Sequence, residues 1–307
     1  MALVTKSDGP PHLTSYYQYP KLSKYEGLVG KIECRAPTTF VGIEVELEGI
    51  NVKGITTIPS SFKMEQDGSL KLKGMEFISV PIRFIYLESE LVRLFGAIKN
   101  PTISSRCSIH IHMNARDFSE EELYRFMILY LIFERSLFRF SGGRNENIFC
   151  HPIYSYLGKL KDEINKLKTV GNIVYLHWNK YIALNLCPLW GGDGGASKKI
   201  GTIEFRHMSG TTDIERIIHW INLIVSLKIS AKKFKLPEIK ELVSNMTEEA
   251  HYRWLAEQVF KDWADLLDTP EFASDVAEGI LAAKLVLFDQ DIEAKPVRIK
   301  IEKKGGK

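Results

Sequence analysis

Cysteine is scarce and scattered in this chain. Its 307 residues include four, Cys34, Cys107, Cys150 and Cys187, with no pair at the close spacing of a zinc site or a disulfide frame. They read as reduced thiols, the state expected in a cytosolic compartment. A long apolar run is also missing. The most apolar stretch, residues 126–140, is broken by Glu134, Arg135 and Arg139. It is too short and too charged to span a bilayer, so it predicts a buried helix and no membrane partner. The first residues carry no apolar signal core, which argues for a cytoplasmic location. Neither sign of charge dominates. A net charge of +3 is too small to argue for nucleic acid. The basic residues at 300–307 read as a frayed end. No internal repeat is present. The glycines at 191–195 lack both the strand-to-helix setting and the Lys-Ser/Thr ending of a phosphate-binding loop.

What is present is ordinary in bulk, with 45% apolar and 26% charged residues, as in a folded soluble protein. The unusual feature is local. Val41, Ile43, Val45 and Leu47 alternate with Gly42, Glu44, Glu46 and Glu48. Alternation at period two predicts a strand with an aliphatic face and a carboxylate face. Glutamates spaced about 7 Å apart on one face repel each other. A solvated edge is the bland explanation, and a divalent cation is the chemical one. Two further strands share the oddity. Ile109, Ile111 and Met113 oppose Ser108, His110 and His112. Ile203 and Phe205 oppose Thr202, Glu204 and Arg206. Glu76 is a further carboxylate in an otherwise apolar segment at 70–80, with Gly74 and Ile78 on its face. Singly, a His-x-His is commonly surface packing and a Glu-x-Arg a surface ion pair. In one antiparallel sheet, these side chains would converge on one concave surface able to hold two Mg²⁺ or Mn²⁺ ions.

The rest of the chain supplies the frame. Residues 1–38 are a Pro-, Tyr- and Ser-rich lead-in, loosely ordered, with one strand expected at 28–34. Residues 52–58 are expected to pair with the first glutamate strand, and 62–66 with 70–80 across a tight turn at Asp67-Gly68-Ser69. Helical spacing covers 87–98. Ser119 and Glu122 form a capping box for a helix to about Phe140, stopped by Gly142 and Gly143. Further helices are expected at 154–168, 214–231, 247–267 and 271–288, and a strand at 181–186. A division is expected at Leu236 and Pro237.

These motifs, in this order, resemble the amidoligase family of glutamine-synthetase-like carboxylate–amine ligases. Gly42, Glu44 and Glu46 are similar to the family's G-x-E-x-E strand, and Gly74, Glu76, Ser79 and Pro81 to its next segment. His110 and His112 resemble its H-x-H strand. Residues 181–186 and 201–213 resemble the closing strands and helix start. The resemblance spans about residues 39–230. It implies an α+β fold, a curved antiparallel sheet of the glutamine-synthetase catalytic type with flanking helices. The catalytic domain would cover 39–235, and a helical extension with a basic tail 236–307. It implies ATP at one mouth, and ligation of a carboxylate to an amine through an acyl phosphate. Glu46 and Glu76 would hold one metal, and Glu44, His110 and Glu204 the other. His112 would lie near the nucleotide phosphates, and Arg206 on the transferred phosphoryl group. Asp67 would act as a base. Arg144, Asn147 and Asn185 are polar residues at family-like places, with Arg144 and Asn185 assigned to the nucleotide. Small-molecule or peptide acids and amines are the expected partners. A metal-dependent hydrolase and a non-enzymatic protein on a ligase-derived fold are the alternatives. The second metal-binding glutamate of the middle segment in glutamine synthetases has no clear equivalent here.

Overall fold

In the computed structural model, the alternating segments build one open antiparallel sheet. The structure describes residues 12–22, 24–55, 57–71, 73–168, 176–192 and 198–288. The strands are β1 (Phe40–Leu47), β2 (Phe62–Gln66), β3 (Met75–Ser79), β4 (Ile82–Arg83), β5 (Ser108–Asn114), β6 (Leu184–Asn185) and β7 (Thr202–Ser209). They lie in the order β2-β3-β1-β5-β7-β6, with β4 pairing the start of β1. The helices are α1 (Leu13–Tyr16), α2 (Phe84–Ala97), α3 (Glu120–Ser141), α4 (Leu157–Lys166), α5 (Ile214–Lys233), α6 (Leu236–Asn245), α7 (Glu249–Phe260) and α8 (Phe272–Phe288). The class is α+β, as expected.

The sheet has two unlike faces. Val41, Ile43, Val45, Leu47, Phe77, Ile109, Ile111, Met113, Ile203 and Phe205 are all buried on one of them. Removing each such side chain from water stabilises the fold by about 1.5–3 kcal/mol. They join one apolar cluster with the buried faces of α3 and α5. Side chains of α7 and α8, such as Val259 and Ile280, belong to the same cluster. Contact between α3 and α8 is close. A Cβ on Gly279 would meet the carbonyl oxygen of Ile132 at 2.1 Å. Helix α3 is buried along most of its length and begins with the expected box, since Ser119 accepts from the Glu122 N–H while Glu122 accepts from the Ser119 N–H. It ends at Gly142, whose φ of +105° suits glycine.

Several local expectations are corrected. Residues 28–34 form no strand. The N–H groups of Lys31 and Ile32 instead donate to the Glu88 carboxylate. Residues 52–54 are a 3₁₀ turn, because both edges of β1 are taken by β3 and β5, which bring apolar faces of matching register. The turn at Asp67-Gly68-Ser69 is present, with the Leu70 N–H reaching the Asp67 carbonyl at 3.4 Å, but the β2–β3 connection runs on past it, since Gln66 pairs with Met75. Strand β6 keeps only two residues of the expected six. Helix α6 begins where Leu236 and Pro237 point to a linker. Pro237 sits in its first turn, where no N–H is needed. The division expected at Leu236 therefore falls at a helix start, and the helices after it share the core. Most of the glycine loop (193–197), the start of the lead-in (1–11) and the basic tail lie outside the described residues.

Candidate metal centre and active site

Strand register explains why distant residues meet. On the face turned away from the helices, Glu46 of β1 lies opposite Glu76 of β3, and Glu44 opposite His110 of β5. His112 lies opposite Glu204 of β7, which in turn lies opposite Asn185 of β6. Gly42 faces His112 across the β1–β5 pair, and a Cβ there would come within 3.3 Å of the His112 Cβ. The glycine therefore leaves room for the imidazole.

The side chains converge in a connected cluster. Glu44 bridges the two histidines, at 3.1 Å from His110 Nδ1 and 3.1 Å from His112 Nε2. His110 Nδ1 is 3.5 Å from Glu204, and its Nε2 is 3.9 Å from Glu46. Asn185 donates to Glu204 at 2.6 Å, and Arg206 donates to the same carboxylate at 2.5 Å. Three sets of ligand atoms each fall within 4.8 Å of one another: Glu44, His112 and Glu204; Glu44, Glu76 and His110; and Glu46, Asp67 and Glu76. The first set includes His112, expected at the nucleotide. The third includes Asp67, expected as a base, whose Oδ1 also accepts from the Ser69 N–H at 2.7 Å.

Electrostatics divide the carboxylates. Burial opposes ionisation of Glu44, but His112 and His110 outweigh it and hold its pKa well below the usual range. Burial likewise opposes charge on Glu204, and Arg206 with both histidines outweighs it. His112 is pushed up, since the Glu44 carboxylate prevails over its burial. Glu76 is the reverse case. Burial, then Glu44, Glu46 and Asp67, raise it to about 8. A carboxyl whose proton is held by burial and then by three acidic neighbours stands where negative charge is in surplus, and a divalent cation would remove that surplus. The donor set also suits such ions, since hard cations take carboxylate oxygen and accept an occasional imidazole.

Residues 39–228 match the model of a family described as "Putative amidoligase enzyme". The chain belongs to this family. The matched region contains every strand and every site residue named above. No curated protein matches the chain in sequence. Membership supports a ligase.

Of two openings in this amidoligase-family chain, one is lined by site residues and the other lies beside Ser69. One, of about 280 Å³, lies at the Gly42 and His112 end, with apolar walls from Leu22, Phe40, Ile78 and Ile200 and with Arg116 at its edge. The other, of about 250 Å³, is lined by Ser69, Arg106, Asn147 and Phe149. None of the metal-type carboxylates lines it, and its tie to them is Ser69, whose N–H donates to Asp67 Oδ1. A cavity of about 600 Å³ beside Phe234, Leu242 and Trp254 carries none of the site residues. Arg144 does not reach the His112 end. It lies buried behind Arg206, donating through Nη1 to the Arg206 carbonyl at 3.0 Å. Asn147 is spent locally, its Oδ1 accepting from the Phe149 N–H. Two hydroxyls join the site residues. Ser108 donates to Glu46 and lies 2.8 Å from His110 Nε2, and Thr202 lies 2.9 Å from His112 Nδ1. Their signal was strand parity, since both share a face with the histidines and Glu204.

Proposed function

We propose that the chain is an ATP-dependent carboxylate–amine ligase that works through an acyl phosphate, on a sheet of the glutamine-synthetase type. The observation that carries this reading is the convergence of Glu44, Glu46, Glu76, His110, Glu204 and Arg206 from four strands onto one face. Glu46, Glu76 and Asp67 would hold one Mg²⁺ or Mn²⁺ ion, and Glu44, His110 and Glu204 a second. When bound, such ions neutralise phosphate charge during phosphoryl transfer.

The residues divide the work. The apolar walls at the His112 end suit a nucleotide base, with His112 beside the phosphates. A carboxylate oxygen of the acid substrate attacks the γ-phosphorus, the bond to the ADP oxygen breaks, and an acyl phosphate results. Arg206 faces this transfer with its planar guanidinium, a bidentate partner for phosphoryl oxygens. Fixed by Glu204, it needs little reorganisation as charge develops. The amine lone pair then attacks the acyl carbon, phosphate leaves with the C–O electron pair, and the amine proton passes to a carboxylate. Asp67, at the Glu46 end, is the assigned acceptor, through the carboxylate oxygen that a cation held by its other oxygen would leave free. The acid and amine, small molecules or peptides, would enter at that end, in a cytoplasmic protein.

Hydroxylamine can stand in for the unknown amine. With Mg-ATP and a panel of amino acids, peptides and other acids, the expected products are a hydroxamate and ADP in equal amounts. Ester or amide hydrolysis by the metal-loaded protein without nucleotide would replace this reading with a hydrolase. ATP that never binds would leave a non-enzymatic protein.

A further inference from the structure

Arg206 sits at an irregularity in its strand. Ile111 pairs with Phe205 and Ile109 with Met208, so Arg206 and His207 of β7 stand opposite the single residue His110 of β5. Beyond the extra residue, Met208 returns to the buried face and pairs with Ile109. A bulge of this kind re-aims a side chain and leaves backbone groups outside the ladder. The groups around Arg206 find partners elsewhere. Its N–H donates to the Ala183 carbonyl at 2.8 Å. Its carbonyl accepts from Arg144 Nη1 at 3.0 Å and from Cys150 Sγ at 3.2 Å. Its Nε donates to the Phe149 carbonyl at 3.2 Å. Most of these partners belong to the segment that follows α3.

That segment and the bulge share one buried anchor. Glu134 of α3 is 1% exposed. Its carboxylate accepts from the N–H groups of Ile153 at 2.7 Å and Tyr154 at 2.9 Å, and from the Tyr130 hydroxyl at 2.9 Å. Tyr130 Oη also lies 2.6 Å from Nε2 of His207, the residue after Arg206. Nδ1 of His207 is buried without a partner among the described residues. A proton on Nδ1 would be an unsatisfied donor, so it belongs on Nε2. The chain then has one direction: His207 Nε2–H donates to Tyr130 Oη, whose hydrogen goes to Glu134. Burial and, after it, Arg144 hold His207 neutral, with its pKa lowered to about 3, consistent with that assignment. The His207 ring is fixed further by Phe138 and Trp220, with centroids at 4.5 and 5.4 Å.

We infer that Tyr130, Glu134 and His207 are positioning residues for Arg206, locking the β7 bulge and the 144–154 segment to α3 so that the guanidinium points into the site. Its catalytic part rests on the ligase reading, whereas its geometric part does not. A network that served stability alone could be cut without moving Arg206.

The test uses the full chain and two readouts. The first is the Arg206 Nε–H resonance, assigned by its loss in Arg206→Lys, together with its hydrogen-exchange rate. The second is the kcat and KM of ADP formation in the hydroxamate assay. Tyr130→Phe keeps the ring and removes both hydrogen bonds. It should shift the resonance and speed its exchange, and lower kcat by about 10- to 100-fold with little change in KM for ATP, the size of effect a misplaced catalytic group produces. His207→Leu should do the same. His207→Gln, which keeps a donor near Nε2, should restore most of the loss. Tyr124→Phe is the control, a buried α3 tyrosine bonded to Asn165 and away from the bulge. It should leave both readouts unchanged. A folded Tyr130→Phe protein with the Arg206 signal and its exchange unaltered would overturn the inference. If no acid ever supports ATP turnover, the ligase reading fails, and the resonance still decides whether the network aims Arg206.

Discussion

Glu76 offers the sharpest test of the metal centre, because its ionisation links stability, pH and cation binding. In the metal-free protein its pKa rises from 4.5 to about 8, through burial first and then Glu44, Glu46 and Asp67. A carboxyl whose pKa is higher folded than unfolded binds its proton more tightly in the folded state. Its contribution is therefore complete below about 4.5 and is lost as pH climbs toward about 8. At about 1.4 kcal/mol per unit, the upper bound is roughly 5 kcal/mol. Glu76 is only partly buried, so solvent screening reduces this to about 2 kcal/mol. For a chain of 307 residues that corresponds to a melting temperature lower by about 3 °C. A divalent cation between Glu46, Asp67 and Glu76 would displace the proton and reverse the loss. Differential scanning fluorimetry across this pH range, with chelator or with Mg²⁺ or Mn²⁺, reads both effects. The metal-induced gain should grow with pH. Glu134, raised to about 7 chiefly by burial, and His112, also raised, lose stability in the same direction. The comparison with Glu76→Gln isolates the one group. That variant should lose both its share of the pH dependence and most of the metal response. A Glu76→Gln protein that retains both would refute the reasoning.

Arg206→Lys keeps the charge and loses the fork, so turnover should fall about 100-fold while the melting temperature changes little. Arg139→Lys should behave oppositely: Arg139 ties α3 to Asp275 of α8, so stability should fall by about 1 kcal/mol with turnover unaffected. Gly42→Ala should crowd His112 and weaken nucleotide binding, measured by calorimetry, in a protein that still folds. Glu46→Gln should weaken Mn²⁺ binding at least about ten-fold with the fold intact by circular dichroism, since a carboxylate ligand is lost and like-charge repulsion is relieved. Normal metal affinity in that variant would remove Glu46 from the centre.

The parts legible in the sequence were those with period two. Val41 to Leu47, Ile109 to Met113 and Ile203 to Phe205 named both the buried face and, by parity, the face with the carboxylates. The capping box at Ser119 and the glycines after Ser141 bounded α3 for the same reason, since each signal is local. What failed was non-local. Nothing within residues 52–58 says that β3 already occupies that edge of β1. The long β2–β3 loop brings Asp67 to Glu46 and Glu76, and no spacing rule predicts where a loop residue folds back. Arg144 was recognisable as a polar loop residue, but its burial behind Arg206 depends on a bulge whose extra residue is invisible to alternation. His207 is instructive in the same way. It has the parity of a core residue and the chemistry of a site residue, and only its contact with Tyr130 shows how one serves the other.

Charge accounting joins these pieces. Glu44, Glu46, Glu76, Glu204 and Asp67 bring up to five negative charges to one surface, against the guanidinium of Arg206 and two imidazoles. The metal-free site moderates the surplus in two ways. His112 gains affinity for a proton from Glu44, and Glu76 retains one. Both devices weaken as pH rises, and only the Glu76 proton serves the Glu46, Asp67 and Glu76 end, where no permanent cation stands within ion-pair distance among the described residues. Glu44 and Glu204 are already matched by the histidines and Arg206. The first cation should therefore bind at the Glu46 end, where the uncompensated charge is greatest, and the second at Glu44, where it must compete with the histidines. Titration with Mn²⁺ should accordingly show two steps, the tighter one abolished by Glu76→Gln. Asp67→Asn should weaken that same step and leave the looser one in place. If Asp67→Asn weakens the looser step instead, the order of filling and the charge argument behind it are both wrong.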